Sequence, residues 1–243
     1  MKLLAIDSSG LVASVALVSE DNLIAEYTVN FKKTHSQTLL PMLDEIVKMI
    51  DLNLQEIDGI AVAAGPGSFT GLRIGSSTAK GLALSLNKPI ISIPTVEGLA
   101  YNLYGTDKLI CPIMDARRNQ VYTGIYEFAD SQMHTLVSQK AVGIEEIAAE
   151  INARNREVIF LGDGVEVYKE QLKNLMSVPY HYAPIHLAKQ RAGAIGALGI
   201  LYYKNGKTEN ADDHEPIYLR LSQAERELAE KQQSGKEKGV IVC

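Results

Sequence analysis

The sequence predicts an α/β protein of two lobes with duplicated topology and mixed sheets. Three observations carry the prediction. Residues Lys2 to Val29 read as three consecutive strands; from Thr34 onward strands alternate with helices; and one plan, apolar strand, aspartate and turn, then apolar strand, glycine turn and helix, occurs twice in the same order.

Taken in order, Lys2 to Ile6 is a short apolar run. Asp7 ends it, and "DSSG" turns the chain into the alternating "VASVALV" and then "NLIAEYTV", a β-meander. Thr34 stands at an N-cap position before "HSQTLLPMLDEIVKMI", whose apolar residues recur at helical spacing. "GIAVAA" is a short buried strand, "TGLRIGSSTAKGLALSLN" a helix, "PIISIPT" a strand and "TVEGLAYNLY" a helix, so antiparallel and parallel pairings share one sheet. In the second half "LICPIMDARRNQVYTGIYEF" repeats the plan of "LLAIDSSGLVASVALV", and "VIFLGDGVEVYKEQL" repeats that of "GIAVAAGPGSFTGLR". The lobes are placed at residues 1–105 and 106–221. The segment 222–243 is charged, nearly free of large apolar side chains, and reads as a solvated helix fraying into a tail.

Composition limits the function. With 243 residues, 46% hydrophobic and 22% charged, the chain can bury a sizeable core. A formal net charge of -5 argues against a general nucleic-acid binder and leaves room only for a local basic patch. Cys111 and Cys243 are the only cysteines, so no disulfide framework is suggested and a reducing compartment is expected. The first apolar run is too short for a secretory signal, and no run is long enough to cross a bilayer; the expected location is cytoplasmic, away from membranes.

The loop Gly65, Pro66, Gly67, Ser68, Phe69, Thr70, Gly71, with Arg73 beyond it, lies between a strand and a helix, where phosphate-cradling loops lie. It matches neither the P-loop nor G-x-G-x-x-G spacing. A phosphate reading would use free N–H groups near Ser68 and Thr70, helped by Arg73. In the structural reading the glycines make a sharp turn and Ser68 or Thr70 caps the helix, and the chemistry favours this second reading.

Two helices carry more apolar or small surface than one core contact requires. On the later helix Leu72, Gly75, Ala79, Leu82, Ala83 and Leu86 form a core stripe, and Gly71, Ile74, Thr78, Gly81 and Ser85 form a second stripe of mostly small residues. On the earlier one Leu39, Leu40, Met42, Leu43, Ile46 and Val47, with Met49 and Ile50, spread over half the circumference. Either the surplus faces a partner or both helices are sandwiched within the chain.

Catalytic machinery is sparse. His35 has Leu39 four residues on, so no histidine pair lies on one helix face, and His181 and His186 lack acidic partners at ligand spacing. No G-x-S-x-G elbow appears, and Cys111 reads as a core residue. Asp7 with Ser8, and Asp115 with Arg117 and Arg118, end apolar strands at turns. There they could contact a nucleotide, although such aspartates more often form the turn.

Together "LAIDSSG", "KTHSQTLLPML", "GPGSFTGLRIG", "DARRNQVY" and "EPIYLRLSQAE" resemble the TsaB (YeaZ) family, from Met1 to about Glu225. The resemblance implies an actin-like, sugar-kinase-like fold. It implies a non-catalytic subunit that dimerises with and activates the catalytic paralogue TsaD, joined by the ATPase TsaE, in making threonylcarbamoyladenosine on tRNA. tRNA would be met through the complex, and a homodimer could form when the chain is alone. It places ATP and metal on the partner subunits, with no cofactor here, and it places the dimer surface on the two helices with surplus apolar and small faces. His35 without a second histidine fits the non-catalytic paralogue. The competing function is an ATP-dependent phosphotransferase of the same fold, using Asp7, Asp115 and the glycine turns; a peptidase finds no nucleophile–base pair to support it.

Overall fold

The computed structural model describes residues 1–31 and 34–220. The expected tail, 222–243, lies outside the described residues. The first sheet is built from β1 (Lys2–Asp7), β2 (Ala13–Ser19), β3 (Leu23–Val29), β4 (Gly59–Gly65) and β5 (Ile90–Pro94), in the order β3-β2-β1-β4-β5. β1, β2 and β3 pair antiparallel, while β1, β4 and β5 pair parallel through the helices α1 (His35–Met49) and α2 (Phe69–Leu86). After α3 (Thr95–Tyr101), β6 (Leu109–Asp115), β7 (Gln120–Ala129), β8 (Gln132–Gly143), β9 (Val158–Leu161) and β10 (Tyr180–Tyr182) form a second sheet in the order β10-β9-β6-β7-β8. Read from β8, this is the order of the first sheet, with α4 (Ile144–Ala153) and α5 (Gly164–Leu175) in the places of α1 and α2. The duplicated plan read from sequence is therefore a duplicated topology.

Periodicity decides which faces are buried. Leu39, Met42, Leu43 and Ile46 of α1 recur every three or four residues. With Ala79, Ala83 and Leu86 of α2 they close over Leu4, Ile6, Val15, Leu17, Ile60 and Val62 of the sheet. Each such large side chain contributes about 1.5–3 kcal/mol when taken from water. α2 starts at Ser68, whose side chain accepts the Gly71 N–H at 3.3 Å, and stops at Asn87 in the left-handed region. Thr34 stands at the N-cap position of α1, as expected, but its side chain makes no capping hydrogen bond.

The opposite face of the first sheet is covered from far along the chain. Ala192, Ile195, Leu198 and Ile200 of α6 (Ala192–Lys204) pack on Leu3, Ala5, Ala16, Val18, Ala61, Ile91 and Ile93. Conversely α3 puts Val96, Leu99 and Ala100 against Ile110, Met114, Tyr126 and Leu161 of the second half. The boundaries 1–105 and 106–221 need correction on this point: α6, inside 106–221, completes the first lobe, and α3, inside 1–105, helps close the second. Each sheet has two apolar faces, and the helices next to it in sequence cover one of them. Among the described residues no helix is long and apolar enough to cross a membrane.

Candidate functional site: the interlobe cleft and an exposed helix face

Between the lobes lies a cleft of about 570 Å³. Ser9, Gly10 and the loop Pro66 to Thr70 line it from the first lobe, Asp115, Ala116, Arg117 and Asp163 from the second, and Ile217 to Arg220 complete it. The glycine loop shapes this wall. Gly65 has φ 121, and a Cβ there would stand 2.2 Å from the Ile217 carbonyl oxygen, so only glycine fits. At Gly71 a Cβ would meet the Ser8 carbonyl oxygen at 2.1 Å, which lets the start of α2 press onto the turn after β1. Ser8 Oγ donates to the Gly71 carbonyl at 2.9 Å, and the Ser68 N–H donates to the Ser9 carbonyl at 2.6 Å. A hydroxyl and an amide that a phosphate would use are thus bound within the lobe.

Asp7 is 1% exposed, and its Oδ1 accepts from the Ser9 N–H at 2.9 Å and the Ser9 hydroxyl at 2.6 Å. Burial pushes its pKa up to about 6 despite these bonds. Asp115 is likewise a turn-former: its Oδ1 accepts the Arg117 N–H at 2.8 Å, and its own N–H donates to Asp163 Oδ1 at 3.2 Å. Burial raises the Asp163 pKa. Arg117, Arg118 and Asn119 take φ of 60, 55 and 58, so the turn projects both arginines outward, where they are exposed. His35 Nε2 lies 2.8 Å from the Gly10 carbonyl beside the cleft. Among the described residues no cluster of three or more His, Cys, Asp or Glu could hold a metal ion. Cys111 is buried, and desolvation pushes its thiol up to about 12, as expected of a core residue.

The residues proposed for a partner surface divide. Leu39, Met42, Leu43 and Ile46 are core, each no more than 5% exposed, and Gly71 is buried against Ser8; these five are removed from that surface, because the first sheet needs them. Leu40 is 54% exposed, Gly81 and Ser85 are exposed, and Val47, Ile74 and Thr78 are half-buried. A Cβ at Gly81 would meet nothing within 4 Å. Met49 and Leu84 add exposed apolar area on the same two helices.

One constellation was not legible in the sequence. His214 is buried, with Nε2 2.8 Å from Ser76 Oγ and Nδ1 2.8 Å from Glu209 Oε1 and 2.9 Å from Ser92 Oγ. The sequence gives no sign of a nucleophile–base pair, because these groups lie up to 138 residues apart. Hydroxyl, imidazole and carboxylate are in hydrolase order, but Ser76 is 4% exposed in the middle of α2, where the backbone amides belong to the helix and none is free to hold an oxyanion. The set is a polar clasp holding the return segment, Glu209 to Arg220, on α2 and β5.

Two sheets of identical strand order, each with a meander, two parallel strands and helices on both faces, and a cleft between them, define a two-lobed actin-like, sugar-kinase-like protein. A family model described as "TsaD: tRNA N6-adenosine threonylcarbamoyltransferase" matches residues 22–228. The chain is 36% identical to the tRNA threonylcarbamoyladenosine biosynthesis protein TsaB of Bacillus subtilis, over 96% of this chain and all of the relative. To the TsaB of Escherichia coli it is 29% identical over the same shares. The chain belongs to the TsaB family. A solved structure of YeaZ from Pseudomonas aeruginosa superposes with a TM-score of 0.78 at 28% identity, covering 90% of this chain and 99% of that one. A tRNA N6-adenosine threonylcarbamoyltransferase of Fervidobacterium nodosum is 34% identical over 43% of this chain and 35% of its own length.

Proposed function

We propose that this chain is a non-catalytic scaffold subunit required for threonylcarbamoyl transfer to adenosine 37 of tRNA, and that it dimerises with and activates a TsaD-type transferase. TsaE would complete the assembly, ATP and metal would belong to the partner subunits, and the site of action would be the cytoplasm. The observation that carries the pairing is the open side of α2: a Cβ at Gly81 would meet nothing, and Thr78 and Ser85 continue the same small-residue face, beside Ile74, which packs in part on the core, and the exposed Leu40 of α1. Small residues let a second backbone approach closely, and exposed apolar area beside them provides the driving force. The segment match to transferases supports the partner's kind, since a paralogue of similar topology presents a similar helix pair. The phosphotransferase reading is weakened by the cleft, where the Ser8 hydroxyl and Ser68 amide are already engaged.

Co-purification with the transferase, then a modification assay with each subunit omitted, tests the reading. Gly81→Arg should fold normally, fail to co-purify with the transferase and fail to support modification, because it puts volume and an unpaired charge where two helices meet. Asp115→Ala should keep the partner. Normal association of Gly81→Arg would move the interface elsewhere, and an unfolded Gly81→Arg would contradict the open space around Gly81.

A further inference from the structure

Among the described residues four arginines stand without an acidic partner, Arg117 and Arg220 lining the interlobe cleft, Arg118 next to the first of them and Arg73 in the adjoining hollow, and from them we infer a docking surface for single-stranded RNA. The inference rests on the proposed place in tRNA modification and names the face that would meet the nucleic acid. Among the described residues Arg154, Arg156 and Arg191 are ion-paired with Glu150, Glu127 and Glu26. Among the described residues Arg73, Arg117, Arg118 and Arg220 take part in no ion pair. The fold gathers them: Arg220 donates to the carbonyls of Ala116 and, at 3.3 Å, Arg117, and Arg73 Nε donates at 3.4 Å to the hydroxyl of Tyr218, two residues before Arg220.

Between these charges lies an aromatic platform. The Phe69 and Tyr218 rings are 4.6 Å apart, and the Arg73 guanidinium sits 4.0 Å over Phe69. Tyr218 is 40% exposed. With Phe69 covered by Arg73, the exposed Tyr218 ring is the stacking face, and beside forked guanidinium groups it matches an unstacked base and its phosphates together, whereas an acidic peptide would use only the charges. The carboxylates nearby are outnumbered or engaged: Asp115 and Asp163 each accept a backbone N–H, and Glu215 shares an adjoining hollow with Arg73, Lys80 and Tyr218, where two cations face one carboxylate. A chain of net charge -5 that leaves these arginines unpaired at one place has the local basic patch its composition allows.

The test measures fluorescence anisotropy of a short labelled single-stranded RNA and of an unmodified tRNA transcript, with the full chain alone and in complex with its transferase. Arg117→Ala/Arg118→Ala and, separately, Arg73→Ala are compared with wild type across salt. Each variant should keep its Tm and its partner, weaken RNA binding about tenfold, and lower the salt slope by about 0.7 per arginine removed. Because the substitutions lie on different elements, misfolding of one leaves the other decisive. Unchanged RNA affinity in the folded variants overturns the inference, as does loss of partner association measured in the absence of RNA. Omission of the whole chain tests the function reading; a chain that modification requires, with arginine variants of normal RNA affinity, overturns the RNA surface alone.

Discussion

At the scale of single residues, two glycines ten positions apart on α2 answer to different physics. Gly71 sits where a Cβ would strike the Ser8 carbonyl, and Gly81 where it would meet nothing. Gly71→Ala should therefore cost about 1–3 kcal/mol from overpacking against backbone, while Gly81→Ala should stabilise by about 0.5–1 kcal/mol from helix propensity; urea unfolding measures both, and equal effects would refute the distinction. Asp7 makes a pH prediction. Its pKa rises from 3.8 to about 6 on folding, so the folded state binds the proton more tightly, and stability falls as pH rises from about 4 to about 6 and stays lowered above that. The shift corresponds to about 3 kcal/mol at most. Asp7→Asn keeps an acceptor for Ser9 and has no charge to bury, so relative to wild type it should gain stability between pH 4 and pH 7. A constant difference across that range would show that burial does not control this carboxylate.

At the scale of elements, the return segment Glu209 to Arg220 has little regular structure yet fastens β5, α2, β4 and the turn after β6 together. Glu209 bridges to Ile90, Lys80 reaches the carbonyls of Asp212 and His214, the Ile217 N–H donates to the Ala64 carbonyl at 2.6 Å, and Arg220 holds the turn after β6. His214 is its central fastening. His214→Ala would leave the buried Ser76 hydroxyl without its partner, while Ser92 keeps its bond to Glu209, at a cost of about 1–3 kcal/mol, and should increase hydrogen exchange along the segment before the sheets are affected. A fluorophosphonate probe should leave Ser76 unlabelled in the native protein; labelling would show an accessible, activated hydroxyl and revive the hydrolase reading.

At the scale of the whole molecule, the two lobes are not independent in sequence. α6 covers a complete face of the first sheet, where Leu3, Ala5, Ile91 and Ile93 are fully buried against it. A fragment ending at Arg191 would expose that face and should fail to fold cooperatively, as circular dichroism and denaturant melting would show; a fragment with a native-like transition would mean that α6 is an accessory. The same exchange of α3 and α6 holds the cleft between the lobes, so the geometry of its walls depends on both halves being present.

Much of this protein follows from local pattern. Alternation in "VASVALV", helical spacing from Leu39 to Ile46, and glycine beside Ser68 at the start of α2 each express an interaction between near neighbours, and so the strands, helices and caps could be read in order. The repeated aspartate and glycine turns were legible for the same reason, and their repetition anticipated the shared strand order. Which apolar residues become surface was not legible. Leu39 and Leu40 are equivalent in composition, and only the position of the sheet makes one core and the other exposed. Nor could spacing join His214 to Ser76, assign α6 to the first sheet, or bring Arg220 to the turn at Arg117 and Arg73 to Tyr218. Contacts between segments so far apart are set by how two-faced sheets find cover, and that is decided only when the chain closes on itself.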